Sequence, residues 1–264
     1  MKHLPSLGAV MSTLYLACLA LFIATPMLVI IAFSFDANRF PTLPWGGFSL
    51  EWHIAALADP MILAALKNSA IVGLGTASLA TALGFCAAYL DYRYSFFGKR
   101  TLMIAVAIPP AVPVAILGMA MLAFLSRTPI FGSVSAIIVS HTAIATSFSM
   151  ALIRLRLTEL GPDLEQAAWN LGATRLQAIG RVVLPFCRPS ILAAFFLSAA
   201  VSFDEFMVAW FVGGVNETLP VRILNMLQGQ VNPKINAIGT VVLIISLTLV
   251  ILAQRLARSG KETR

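Results

Sequence analysis

Long apolar runs separated by short polar joints dominate this chain, and within the runs hydrophobic residues do not alternate with polar ones. Residues 10–33, 69–90, 102–125, 132–153, 190–212 and 237–256 are such runs. Each reaches about 18 residues or more, the length an α-helix needs at about 1.5 Å per residue to cross roughly 30 Å of hydrocarbon. A membrane barrel needs short strands with a two-residue alternation, which these runs lack. Helices bond their backbone groups internally and so suit lipid. The pattern therefore predicts an all-α polytopic membrane protein with about six transmembrane helices, forming one transmembrane domain over residues 1–264.

Two runs carry interruptions. The third contains Ile108-Pro109-Pro110-Ala111-Val112-Pro113, where Pro110 and Pro113 leave carbonyls without intrahelical donors and predict a kink, a candidate moving gate. The fifth carries Asp204 and Glu205 about two thirds of the way along. An acid facing lipid at mid-bilayer costs on the order of 2.5–3.5 kcal/mol, so the pair must face water or a partner. On a continuous helix Glu205 extends the stripe begun by Ser198 and Ser202, with Phe203, Met207 and Trp210 on the apolar counter-face. Two readings follow, a passage lined with negative potential for a cation and a structural pair with one acid bonded to a neighbouring helix or to a second subunit. His141, between Ser140 and Thr142, is a secondary pathway candidate, and a hydrogen-bonded packing histidine is the commoner role. Two longer outer loops, 36–67 and 213–236, carry glycine and proline punctuation. The first predicts an ordered cap with a short surface helix, the second a helical stretch over 221–227.

Composition agrees with lipid as the solvent. Hydrophobic residues make up 59% of the 264 and charged residues 11%, with mean hydropathy +0.90, whereas a soluble domain carries about a quarter charged residues. Thirteen of the 18 lysines and arginines fall on one set of joints and five on the other, which predicts that both termini are cytoplasmic. The net charge of +7 then reflects topology and anionic lipid, and no basic cluster suggests nucleic acid. The first apolar run is expected to be a retained anchor, not a cleaved leader. Cys18, Cys86 and Cys187 fit packing residues better than a disulfide framework or zinc spacing. The chain contains no G-x-x-x-x-G-K-[ST], H-E-x-x-H or nucleophile elbow, so neither catalytic residues nor a metal site is expected.

The remaining feature is a polar segment between apolar runs, LEQAAWNLGATRLQAIGRVVLP, residues 164–185. It predicts a helix from Asp163 with Ala167, Ala168 and Leu171 on one side, a break at Gly172, and a second helix through Leu176, Ile179 and Val183 that stops at Pro185. This segment resembles the EAA loop of type I binding-protein-dependent ABC importer permeases: Ala167, Ala168, Gly172, Val182, Leu184 and Pro185 fall on that pattern. Gln166 stands where the family has its motif glutamate, and Glu165 lies one position earlier; Gln166 is taken for the motif role. Ser202-Phe203-Asp204-Glu205, Thr218-Leu219-Pro220, Asn68 and His141 are similar to the spermidine/putrescine branch.

The resemblance implies a permease that is not itself an enzyme and binds no cofactor. ATP and Mg belong to a separate dimer of cytoplasmic ATP-binding subunits. Those subunits would pull on the segment at about 160–185 through Glu165, Gln166, Ala167, Ala168, Trp169, Leu171 and Gly172. It further implies a second permease subunit, with a heterodimer favoured, an extracytoplasmic solute-binding protein, and a bacterial cytoplasmic membrane location. Polyamine is the implied solute; iron, opines and amino-acid-like solutes are carried by related branches. A secondary transporter working without an ATPase is the competing class, and the paired broken repeats it usually shows are not evident.

Overall fold

A computed structural model describes residues 7–161, 163–229 and 233–262; Lys2, His3, Arg264, Pro162 of the central segment and 230–232 of the loop at 213–236 lie outside the described residues. The described structure is helical apart from one isolated antiparallel bridge between Asp36 and Phe48. Five helices are long and apolar enough to cross a membrane, Val10–Ser34, Pro60–Arg93, Val134–Leu157, Arg175–Asp204 and Lys234–Arg258, and Val114–Leu125 is a shorter apolar helix. Contacts divide the chain into two compact units, one of Met1–Asp59 with Asn225–Val241 and one of Pro60–Leu224 with Val242–Arg264.

The first unit contains α1 (Leu7–Ser34), α2 (Glu51–Leu57) and the start of the last helix. None of the most apolar stretch of α1 is buried, as expected of a helix whose solvent is lipid or another subunit. The chain after α1 is tied around Asp36. Its buried Oδ1 accepts the backbone N–H groups of Asn38 at 3.0 Å and Gly46 at 2.8 Å, and its carbonyl accepts the Trp52 indole at 3.1 Å. Phe35 stacks on Phe48 and on His53, whose pKa burial lowers. This is the ordered cap with a surface helix that the punctuation predicts. It ends sooner than expected, because α3 starts at Pro60 and takes Lys67 into the helix. Proline suits a first helical position, where its missing N–H has no intrahelical role.

The second unit is built on α3 (Pro60–Arg93), α6 (Val134–Leu157) and α9 (Leu184–Asp204), which pack closely on one another. The buried face of α3 is largely small: Ala65, Ser69, Gly73, Ala77, Ala80, Gly84 and Ala88 recur at helical spacing. Apolar side chains gain nothing by leaving lipid for each other, so close backbone approach supplies the dispersion contact. At Gly84 a Cβ would lie 2.5 Å from Cβ of Ser149 and 2.8 Å from the Met150 nitrogen. Ser133 caps α6 by accepting the Ala136 N–H at 3.3 Å.

The predicted third span is divided. It consists of α4 (Lys99–Ala107), a 3-10 turn (Pro109–Ala111) and α5 (Val114–Leu125), with Val112 extended. Pro110 has no N–H for the Val106 carbonyl four residues back, and the Ser147 hydroxyl of α6 donates to that carbonyl instead. The fifth span is divided as well, since α9 ends at Asp204 and α10 (Met207–Val212) follows. α10 packs on α5, where a Cβ at Gly118 would lie 2.6 Å from the Phe211 ring.

α7 (Asp163–Asn170) and α8 (Arg175–Ala178) make up the central segment, and here one expectation fails. The helix does not stop at Pro185 but runs from Arg175 to Asp204, with a π-turn at Ile179–Val183 just ahead of the proline. A wider turn makes room for the ring that would otherwise meet the preceding carbonyl, so proline bends the path without ending it. α11 (Leu219–Gln228) matches the stretch predicted at 221–227, and α12 (Lys234–Glu262) starts before and ends after its predicted apolar run.

Candidate functional site

The helix–joint–helix of the central segment rests on backbone chemistry. Gly172 has φ +86°, a conformation costly for any residue with a side chain. The Ala173 N–H reaches the Ala168 carbonyl at 3.0 Å and the Gly172 N–H reaches Trp169 at 2.9 Å, the paired bonds of a Schellman terminus. Thr174 then opens α8 with a capping box, accepting from the Gln177 N–H while its own N–H donates to Gln177 Oε1 at 2.9 Å. The change of direction assigned to Gly172 is therefore built from satisfied termini.

The two candidates for the motif glutamate, Glu165 and Gln166, separate cleanly. Glu165 is wholly buried: the Tyr89 hydroxyl donates to its Oε1 at 2.8 Å, and Arg93 Nε lies 3.4 Å from Oε2. The Arg93 guanidinium also sits 4.5 Å from the centroid of the Trp169 ring. Glu165 and Trp169 of α7 are thus fastened to the end of α3, and Trp169 is half-buried. Gln166 and Ala167 are exposed, Ala168 is intermediate, and Leu164, Leu171 and Leu176 present 52%, 88% and 81% of their surface. The outward face thus offers leucines, an alanine and a neutral amide. Tyr89 and Arg93 were not read as part of the site; Arg93 figured only as a topology charge, more than seventy residues from its partner.

The pathway candidates do not form one stripe. Ser198 bonds Ser149 of α6 at 2.7 Å, and Ser202 bonds His141 Nδ1 at 2.9 Å, all four side chains being buried. Glu205 leaves the series, because it is extended at φ −77° and ψ 117° and its Oε1 accepts the Val208 N–H of α10 at 2.9 Å. Two acids at that depth open the helix: one turns to the free N–H groups of the next helix, and the other, Asp204, accepts the hydroxyl of Ser246 on α12. Asp204 remains exposed on the chain while Ser198 and Ser202 face inward. The expected apolar counter-face is split likewise, with Phe203 buried and Trp210 exposed. Pro110 lies in the 3-10 turn and Pro113 is the residue before α5. Asn68 donates to the Glu217 carbonyl at 3.0 Å, and Ser69 accepts the Leu219 N–H at 2.8 Å, so the Thr-Leu-Pro segment is held against α3.

Residues 80–259 match the family model described as "Binding-protein-dependent transport system inner membrane component". The chain is 28% identical to the spermidine/putrescine transport system permease protein PotC of Haemophilus influenzae, over 90% of this chain and 92% of that protein. It is 30% identical to the putrescine transport system permease protein PotI of Escherichia coli strain K12, over 84% of this chain and 82% of that protein. A chain of the bacterial alginate ABC transporter, solved in complex with an alginate pentasaccharide-bound periplasmic protein, shares the fold at TM-score 0.72 and 16% identity, with 96% of this chain and 95% of that one covered. The family model covers well over half the chain, and the EAA-like segment and the broken spans fall within it. The chain therefore belongs to the binding-protein-dependent transport system inner membrane components, the multi-pass permeases of type I ABC importers.

Proposed function

We propose that this permease works in an ATP-driven importer for a small cationic solute of the polyamine kind. Its partners in this reading are a dimer of cytoplasmic ATP-binding subunits that hold ATP and Mg, a second and different permease, and an extracytoplasmic solute-binding protein. Both termini lie in the cytoplasm. The observation that carries the coupling role is the segment Asp163–Ala178, where Leu164, Leu171 and Leu176 stand exposed along α7, the joint and α8 while Glu165 fastens α7 to α3. A leucine removed from water contributes about 1.5–3 kcal/mol, so Leu171 and Leu176 supply contact energy to whatever they meet. Ala167 and Gln166 keep that face low and uncharged, while Glu165 holds the helix from behind.

The cationic solute rests on Asp204, an acid exposed on the chain beside a helix break, where lipid alone does not solvate it. The identities of the PotC and PotI relatives support the same class. In this reading the break at Pro110–Pro113 is the point where the path opens and closes.

The deciding experiment is affinity purification of the chain from its native membrane. Recovery of an ATPase and a second permease is expected, with no ATP hydrolysis by the isolated chain. Leu171→Glu should reduce the recovered ATPase about tenfold or more, the loss implied by one leucine contact. Undiminished recovery with that variant overturns the coupling role. Uptake of labelled putrescine and spermidine into vesicles tests the solute: Asp204→Asn retains a partner for Ser246 and removes the charge, so uptake falls while assembly persists. Unchanged uptake makes Asp204 a structural pin.

A further inference from the structure

Where α3 ends, α4 begins and α6 ends, the second unit holds an open cavity of about 860 Å³ apart from both sites above. Its walls change character along their length. On α4, Lys99 and Arg100 stand in the first turn, Met103 and Ile104 a turn further, and Ala107 a turn beyond that. On α6, Arg154 lies near the helix end, with Met150 one turn deeper. The two helices thus place cations at one mouth and hydrocarbon behind it, in the same sense, over about 12 Å on α4 and about 6 Å on α6 at 1.5 Å per residue. Phe96 and Phe97 stand exposed at the charged end, Phe97 completely so.

Three cations and one carboxylate line the mouth, and two of the cations meet that carboxylate. Asp91 is shared by Lys99, at 3.3 Å, and Arg154, and Lys99 also donates to the Asp91 carbonyl. Arg100 has no acidic partner among the described residues and is exposed. The mouth therefore carries a positive excess, fixed in place by Asp91, above a greasy trough in which Ile104 and Ala107 stand exposed beside Met103 and the core residue Met150. A free phosphate would use only the mouth, and an acidic peptide would leave the trough empty. A molecule with an anionic head and an apolar stem uses both, and the membrane supplies it at the level where these helices end.

We propose that this cavity binds one anionic phospholipid, its phosphate between Lys99, Arg100 and Arg154 and its acyl chain along Met103, Ile104 and Ala107. The aromatic pair at the rim lies at headgroup level, and the bound lipid fills the wedge between α4 and α6. The fit requires no rearrangement of Asp91, whose two cations keep donors to spare.

The test uses the transporter purified with the partners this chain brings, in nanodiscs holding phosphatidylglycerol and phosphatidylcholine in equal amounts. Lipids still bound after mild-detergent release are weighed by native mass spectrometry. Phosphatidylglycerol should be retained selectively. At about fivefold per cation near a membrane surface, the Arg100→Gln/Arg154→Gln pair should lower that selectivity by about thirtyfold. Asp91→Asn, which releases two cations, should raise it. Ala107→Trp fills the trough without touching a charge and should eject the lipid. These last two variants move retention in opposite directions, so the proposal stays open to refutation if the double variant misfolds. Equal retention of the two lipids, no retained lipid because a protein partner covers the cavity, or wild-type retention in the double variant overturns it. So does displacement by millimolar inorganic phosphate with Ala107→Trp silent, which leaves a simple anion site.

Discussion

Glu165 shows how one position changes the meaning of a motif. An acid near an E-A-A signature reads as a contact for the partner, yet this one has no exposed surface and is held by Tyr89 and Arg93. A buried carboxylate that loses one donor pays for its incomplete solvation, so Tyr89→Phe is expected to weaken the anchoring of α7 by about 1.5–3 kcal/mol, the range for hydrogen bonds to charged groups. The readout is Trp169 fluorescence, which should shift to the red as the ring loses its place under Arg93, with membrane insertion unchanged. Gly172 gives a second residue-level expectation. At φ +86° a Cβ meets no neighbouring atom, so the penalty for Gly172→Val is backbone strain alone, about 1–2 kcal/mol. Assembly should survive while ATP-dependent uptake falls, and normal uptake by that variant counts against Gly172 as the joint of a lever.

At the scale of elements, what was legible and what was not divides by range. The break at Gly172 could be read because a glycine followed by Thr-x-x-Gln is a local stop and start. The interruption at Pro110–Pro113 could be read for the same reason, although it proved a full division into two helices and not a bend. The end of α9 could not. Phe203-Asp204-Glu205-Phe206 holds neither glycine nor proline, and the partner of Asp204 is tertiary, since Ser246 lies more than forty residues away; only the bond from the Val208 N–H to Glu205, three residues apart, is local. Pro185 misled in the opposite sense, since a π-turn upstream absorbed it. The seam between α3 and α6 makes a further prediction. Gly84→Ala should destabilise the permease by about 1–3 kcal/mol through overpacking, because the new carbon meets backbone as well as side chain. Gly180→Ala, with nothing within 4 Å, is the matched control and should leave the melting temperature unchanged.

On the scale of the whole molecule, hydrophobic run length and composition reached the class of the protein and five of its long helices, because lipid imposes those features on any chain that crosses it. The divided run at 190–212 keeps an unbroken helix of spanning length by extending back to Arg175, whereas the run at 102–125 fell short, being long enough in residues but with no such helix. Its second part, α5, spans about 18 Å and α10 about 9 Å at 1.5 Å per residue, both well short of roughly 30 Å of hydrocarbon. Each finds its main support in the other, across the intervening α6 to α9. The ribosome therefore delivers α5 long before the element that steadies it exists. A nascent chain stopped after α6 should hold α5 loosely, open to thiol reagents at an introduced Leu125→Cys, and the same site, buried with Val208, Ala209 and Val212 in the finished fold, should become shielded once synthesis has passed Val212. Biogenesis of this permease is thus not a simple sequence of independent insertions: its middle is provisional until its later part arrives.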